Sequence, residues 1–308
     1  MKPPSLRAGA VVPKAGAETL RDNRTMRAVT AQSTHNSGPL PMNKADYVEG
    51  LAKGLAVLEC FAPERQRLNT TQTAQRAGLT RAAARRQLLT LAHLGYLESD
   101  GSHYWLSSKV LRLAGSYLSS SRLPRLLQPA LDRLALQARD PCSAVVLDGR
   151  EVVIIVRSIG PPSAAPTRSR ETLRAAMPVM AYGLHQGARM PAHATSTGRM
   201  LLACRTAREV SDWLRSSGPF VRLTAHTVTE HRGLRAAVAQ ARRDDYCVAS
   251  EEHELGVCAV AVPVRDLAGR AVAAINVVTA PARLDRALLQ RDLLPLMRAA
   301  AQEVRGLL

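Results

Sequence analysis

Apolar positions organise the chain from Tyr47 onward. Val48, Leu51, Leu55, Val57, Leu58 and Phe61 recur at helical spacing and predict a first helix, which Pro63 and a charged run then break. Thr70–Ala77 reads as a second, short polar helix, and Gly78-Leu79-Thr80 as a turn. Residues 81–94 read as a third helix, capped by Thr80 and ended by Gly95. Tyr96 to Leu106 reads as two short strands around an Asp100-Gly101 turn. Helix, short helix, turn, capped helix and hairpin, in that order, predict a winged helix-turn-helix over residues 46–108.

Val110, Leu111, Leu113, Ala114, Tyr117 and Leu118 lie on one stripe within residues 107–121, which predicts an amphipathic linker helix, with the linker placed at 109–122. Pro124 lies just past it, and a helix over 125–138 follows, ended by Asp140-Pro141. Strands at 143–148 and 151–157 meet at Asp148-Gly149. A looser stretch, 158–192, holds Pro161, Pro162 and Pro166. Helices are predicted from Thr197, Glu209 and Glu230, and strands at 246–250, 257–265 and 271–279, the last pair turning at Asp266 to Gly269. Helix interrupted by Pro295 closes the chain from Leu284 to Leu307. The fold class is α+β, with a second domain over 123–308. Residues 1–45, with Pro3, Pro4, Pro13, Pro39, Pro41 and a polar run, are expected to form a disordered basic tail. Two readings of it stay open: a loose arm on DNA, or a stretch upstream of a true start at Met42.

Composition sharpens this picture. The formal charge of +17 over 308 residues points to a polyanionic partner, although a genome rich in Arg and Ala codons accounts for part of it. With 3% aromatics in 46% hydrophobic residues, the core is expected to be Leu, Val and Ala. Cys60, Cys142, Cys204, Cys247 and Cys258 are scattered and form no C-x-x-C pair, so a zinc ribbon or a disulfide framework is not expected. No secretory signal and no apolar run of roughly 18 residues is found, so a cytoplasmic protein without a membrane partner is expected.

The third helix carries the candidate DNA chemistry. Arg81 and Arg85 lie four apart on one face with Arg86 beside them, and arginine reads guanine bidentately in the major groove. Small Ala82 and Ala83 let the helix approach the duplex. Thr80 opens that helix, Thr71 and Gln72 at the start of the second are placed to bond phosphates, and Ser102 and His103 sit at the wing tip. The plain alternative is a solvated arginine face.

Tyr47 to Leu58, Gly78 to Leu91 and Leu94-Gly-Tyr-Leu97 together resemble the IclR family of transcriptional regulators, in wording closest to its protocatechuate, 4-hydroxybenzoate and β-ketoadipate subgroup. Leu147 to Val152, Pro191 to Ala203, Glu251 to Val257, Ala261 to Val264 and Ala273 to Val277 extend the resemblance to the C-terminus. It implies a GAF-like antiparallel-sheet effector domain, a homodimer or homotetramer on double-stranded operator DNA, a small carboxylate or aromatic acid effector, and contact with RNA polymerase. It implies neither catalysis nor a cofactor.

By the same resemblance, the effector lies against the loop that opens the helix at Ser196, Thr197 and Gly198, and against the strand positions Ala259, Asn276 and Val278. Amides at a helix start suit a carboxylate. Keto-acid-binding relatives tend to carry Cys or Ser at those three strand positions. Only Asn276 is polar here, which fits a larger, less polar acid. His193 and Arg199 flank the loop, each either a carboxylate partner or, respectively, a satisfied loop histidine and a solvated helix residue. Glu251, Glu252, His253 and Glu254 suggest a metal only superficially, because strand alternation would split them between faces. Three classes of function compete: a regulator controlled by an aromatic acid, or a repressor answering a non-aromatic metabolite; an enzyme, for which no G-x-S-x-G elbow, P-loop or G-x-G-x-x-G is present; and an architectural nucleic-acid binder, which needs no domain of this size.

Overall fold

A computed structural model describes residues 43–62, 65–159 and 184–308. Most of the expected tail with Met42, Pro63, and the prolines at 161, 162 and 166 lie outside the described residues. Asn43 opens a capped 3-10 turn at Lys44–Asp46, where the tail was expected to continue.

The N-terminal part contains α1 (Glu49–Leu58), β1 (Leu68–Asn69), α2 (Thr70–Ala77), α3 (Arg81–His93), β2 (Leu97–Ser99) and β3 (His103–Leu106). Local chemistry sets most of these limits. Asn69 and Gln72 form a reciprocal capping box at the start of α2, and Gly78 ends that helix at φ 65°. Thr80 accepts from the Ala83 amide to start α3. Gly95 ends α3 in a Schellman arrangement, in which the Tyr96 amide reaches the Leu91 carbonyl and the Gly95 amide that of Ala92. Val57, Leu88, Leu91, Leu97 and Tyr104 form the small core beneath. The sequence pattern did not show β1, which is only two residues long and exists because Leu68 and Asn69 pair with Tyr104 and His103.

A 3-10 turn at Ser108–Val110 leads into α4 (Leu111–Ser120), then α5 (Arg122–Ala138). The helix expected from 125 begins three residues earlier and takes in Pro124, because a proline in the first turn forfeits no intrahelical bond. No residue of α4 is buried within the chain.

The C-terminal part is built on a six-stranded antiparallel sheet of order β6-β5-β4-β9-β8-β7: β4 (Cys142–Asp148), β5 (Glu151–Ser158), β6 (Arg189–Pro191), β7 (Cys247–Ser250), β8 (Cys258–Arg265) and β9 (Ala271–Thr279). β6 falls within the stretch expected to be loose and is held at the edge by pairing with β5. One face carries α5 and α9 (Leu294–Arg305), with Leu127, Leu131, Leu134, Leu294, Met297 and Val304 against Val260, Val262 and Val264. The other carries α6 (Ser196–Ala203), α7 (Ala207–Ser217) and α8 (His231–Asp244), with Met200, Leu202, Trp213, Leu214 and Leu234 against Val145, Ile154 and Ala261. The cores are built largely of Leu, Val and Ala, as composition suggested.

Pro295 does not stop the last helix. A π-helical segment, Leu289–Leu293, precedes it, with the Leu294 amide bonded to the Leu289 carbonyl, and this wider turn accommodates a residue that has no N–H to give.

Every residue of α6 is buried, so it packs on all sides. At Gly198 a Cβ would stand 2.2 Å from the Ala192 carbonyl oxygen, a backbone atom that cannot swing away. Glycine is needed there for close approach, with nothing asked of its φ. Gly198→Ala is therefore expected to destabilise the protein by about 1–3 kcal/mol, the usual cost of overpacking, measured as a lower midpoint in urea at unchanged slope.

Candidate functional site

On α3, Arg81, Ala82, Arg85 and Arg86 are exposed and Ala83 is half-buried, while Ala84, Leu88 and Leu91 face the core. Among the described residues Arg81, Arg85 and Arg86 enter no ion pair, so their guanidinium donors face solvent. The Thr80 hydroxyl is committed to the α3 cap and the Gln72 carbonyl to the α2 capping box, leaving the Gln72 NH2 and exposed Thr71 for outside partners. At the wing tip, Asp100 accepts from the amides of Ser102 at 2.9 Å and His103 at 2.7 Å, and from the Ser102 hydroxyl at 2.9 Å. Those bonds hold its carboxyl at about 2, so it stays ionised. The tip is a rigid turn whose Ser102 and His103 are partly occupied by each other and by Asp100. Sequence reasoning missed Arg67, which lies over the Trp105 ring at 4.2 Å and 3.7 Å from Asp100, bracing the wing from β1's side.

The second site is a cavity of about 620 Å³, counting its open mouth, between the sheet and the start of α6. Its floor is Ser143, Ile154, Ala249, Ala259, Asn276 and Val278. Register explains the grouping: Ser143 opposes Asn276 across β4 and β9, and Ala249, Ala259 and Val278 form one row across β7, β8 and β9. Alanine in that row leaves the space. Cys258, one residue off, points to the opposite face and is buried, as strand alternation requires. Ala194 and Thr195, just before α6, and Ser196 and Thr197 in its first turn cover the cavity, with Leu184 and Met190 beside them.

At the helix start, Thr195 is the N-cap and takes the Gly198 amide at 3.2 Å. The amides of Ser196 and Thr197, the first two helical residues, have no carbonyl to bond within the helix. The Ser196 hydroxyl is buried, with the residue 1% exposed, and has no hydrogen-bond partner among the described residues. An orphaned hydroxyl in a largely apolar cavity beside unpaired amides is a donor set suited to an anion. Asn276 gives its carbonyl to the Ser143 amide at 3.1 Å and keeps its NH2.

Of the predicted effector residues, Ser196, Thr197, Ala259, Asn276 and Val278 line this cavity and three do not. Gly198 is used for packing. The expectation that His193 or Arg199 would pair with an effector carboxylate is corrected. His193 Nε2 donates to the Val221 carbonyl at 3.0 Å, its ring lies 5.0 Å from Phe220, and burial lowers its pKa, so it is a satisfied neutral histidine. Arg199 is 3% exposed, gives Nε to the His193 carbonyl at 2.8 Å, and forms a bidentate pair with Glu252. Neither reading of Arg199 from sequence, ligand partner or solvated residue, foresaw that pair.

The run Glu251 to Glu254 is also corrected: it is a loop between β7 and β8, entered at Glu251 with φ 58°, so strand alternation does not apply. Glu252 turns inward to Arg199, and its second oxygen also takes the Val228 amide at 3.1 Å. Glu254, His253 and Val257 line the cavity. Ser143 was missed, and His253 was named only within the superficial metal run rather than at the cavity; a lone polar residue in the apolar strand after Cys142 was the available signal for the first. All five thiols are free, and burial raises each pKa, that of Cys247 to about 12.

A winged helix-turn-helix with a bare arginine face, on the same chain as a sheet domain with an anion-suited cavity, defines a ligand-sensing DNA-binding regulator. Residues 50–101 match the IclR helix-turn-helix domain and residues 115–305 the bacterial transcriptional regulator IclR C-terminal domain, so the chain belongs to the IclR family of transcriptional regulators. It is 44% identical over 262 residues to the p-hydroxybenzoate hydroxylase transcriptional activator of Acinetobacter baylyi, covering 85% of this chain and 92% of that protein. It is 43% identical over 263 residues to the Pca operon regulatory protein of the same organism, covering 85% and 90%. Among solved structures, a double mutant of the PobR inducer-binding domain from Acinetobacter, in complex with 3-hydroxybenzoic acid, is similar at 37% identity and a TM-score of 0.51, covering 61% of this chain and all of that one.

Arg85→Ala is expected to weaken binding to the cognate operator by about 1–3 kcal/mol and to relax base preference at one position of each half-site, read by fluorescence anisotropy on an operator substitution series. Glu252→Gln leaves Arg199 buried without its counter-ion and is expected to cost about 3–5 kcal/mol in denaturant unfolding, with far less lost in the double variant Arg199→Met, Glu252→Met.

Proposed function

We propose that this regulator takes a small aromatic carboxylic acid as its effector and governs catabolism of aromatic compounds through the β-ketoadipate pathway. The observation that carries the reading is the buried, unpartnered Ser196 hydroxyl at the first turn of α6, in a cavity otherwise lined mainly by aliphatic side chains. The effector's carboxylate sits against Ser196 and Thr197, with the Asn276 NH2 in reach, and its ring packs on Ala259 and Val278. The named functions of the relatives support the chemical class.

The chain divides into a DNA-binding head at 46–108, a linker helix at 109–122 and an effector domain at 123–308. The protein works as a cytoplasmic homodimer or homotetramer on operator DNA, acts by binding without catalysis, and meets RNA polymerase at its promoters. Self-association is supported by apolar side chains uncovered in the single chain: Val48 at the start of α1, Leu51 and Leu55 on it, and Leu111 and Leu113 on α4, at 50–66% exposure. No helix among the described residues is long and apolar enough to cross a membrane.

Thermal-shift titration with protocatechuate, 4-hydroxybenzoate, β-ketoadipate and glyoxylate tests the assignment. An aromatic acid is expected to raise Tm in a concentration-dependent way. Ser196→Ala is expected to weaken it about 10- to 100-fold, the value of a hydrogen bond to a charge, while leaving the unliganded Tm unchanged or higher because an unsatisfied hydroxyl is removed. A response to glyoxylate alone would instead establish a non-aromatic effector.

A further inference from the structure

The loop that follows β7 brings a second kind of chemistry to the cavity. His253 lies between Glu252, which Arg199 anchors, and Glu254, which lines the cavity with it. The imidazole makes no hydrogen bond to any described residue. Burial, and then the neighbouring His193, lowers its pKa below the ordinary histidine value. At neutral pH it is therefore uncharged, with one ring nitrogen able to accept a hydrogen bond.

Most polar groups of the cavity sort by sign, the Ser143 hydroxyl, 3.5 Å from Arg157 Nη1, being able to give or accept. The α6 start offers donors: the amides of Ser196 and Thr197 and the Ser196 hydroxyl. Asn276 adds an NH2, since its carbonyl is taken by Ser143. The loop brings His253 and Glu254 to the lining, two residues whose side chains can accept hydrogen bonds. A carboxylate belongs with the donors and is repelled by Glu254. A group that donates belongs with the loop. An aromatic acid supplies both only if its ring carries a hydroxyl.

Building on the effector-cavity reading above, we propose that His253 is the specificity residue of this cavity: it accepts a hydrogen bond from a ring hydroxyl of the effector and so selects hydroxylated aromatic acids over unsubstituted benzoate. The bidentate Arg199–Glu252 pair fixes the residue before it, so the imidazole is placed before the ligand arrives. A loop held in that way can discriminate, because the acceptor does not move off to find water.

Calorimetric titration of the full-length protein with 4-hydroxybenzoate, 3-hydroxybenzoate and benzoate tests this. The unaltered protein is expected to bind at least one hydroxybenzoate about tenfold more tightly than benzoate, the value of one neutral hydrogen bond. His253→Phe is expected to abolish that gap while holding benzoate affinity within about threefold. His253→Gln keeps an acceptor oxygen and is expected to retain part of the gap, which decides the matter if the phenylalanine variant does not fold. A gap that survives in the phenylalanine variant, or an equal loss for all three acids, overturns the assignment; the second result would mean that His253 serves the carboxylate or the packing. Failure of the unaltered protein to bind any of the acids would strike the effector-cavity reading itself, and this inference with it.

Discussion

The sensing half of the molecule depends on one buried ion pair. Arg199 sits in the second turn of α6, a helix with no solvent-facing residue, and its guanidinium is neutralised by Glu252 from a loop 53 positions away. Two buried charges are tolerable only with bidentate geometry and further hydrogen bonds, and both partners have them. Arg199 bonds the His193 carbonyl, and Glu252 takes the Val228 amide while its own carbonyl receives the Thr227 hydroxyl. The pair thus ties three segments together: the start of α6, the loop after β7 and the loop before α8. Those first two segments cover the cavity.

The cavity itself is a consequence of side-chain size on the sheet. On β8 the valines at 260, 262 and 264 face α5 and α9, and the alanines at 259 and 261 face α6. Small residues under α6 allow the helix to lie close where Ala261 and Ala274 meet it, and leave space where Ala249 and Ala259 face the capped first turn. Helix and sheet backbones are satisfied internally, so the polar groups left facing the cavity are those at the helix start, on Ser143 and Asn276, and on the loop. A cavity with few, separated polar groups is selective because each one imposes a requirement on the ligand.

The head works by different physics. Its core is small, and its order comes from caps: the Asn69–Gln72 box, the Thr80 cap and the Gly95 termination. These fix where α3 begins and ends, and hence which arginines stand at its exposed N-terminal face. An effector can change operator occupancy only by binding two states of the protein with different affinity.

Much of this was legible in the sequence. The limits of α2 and α3, the wing hairpin and the β4–β5 hairpin follow from signals a few residues long, because caps and tight turns are local chemistry. The arginine face and the Ser196–Thr197 start of α6 were legible for the same reason. β1 and β6 were not, since strands of two or three residues exist only through distant partners. Nor was the fate of Arg199, His193 or His253. Whether a charged or titratable side chain meets solvent, a ligand or a counter-ion depends on which segment the fold lays beside it. Local signals in the sequence were enough for the longer elements and for the class of protein. That Arg199 is held by Glu252 and that His253 lies at the cavity follow from the assembled fold alone, because burial and pairing are properties of segments brought together from far apart in the chain.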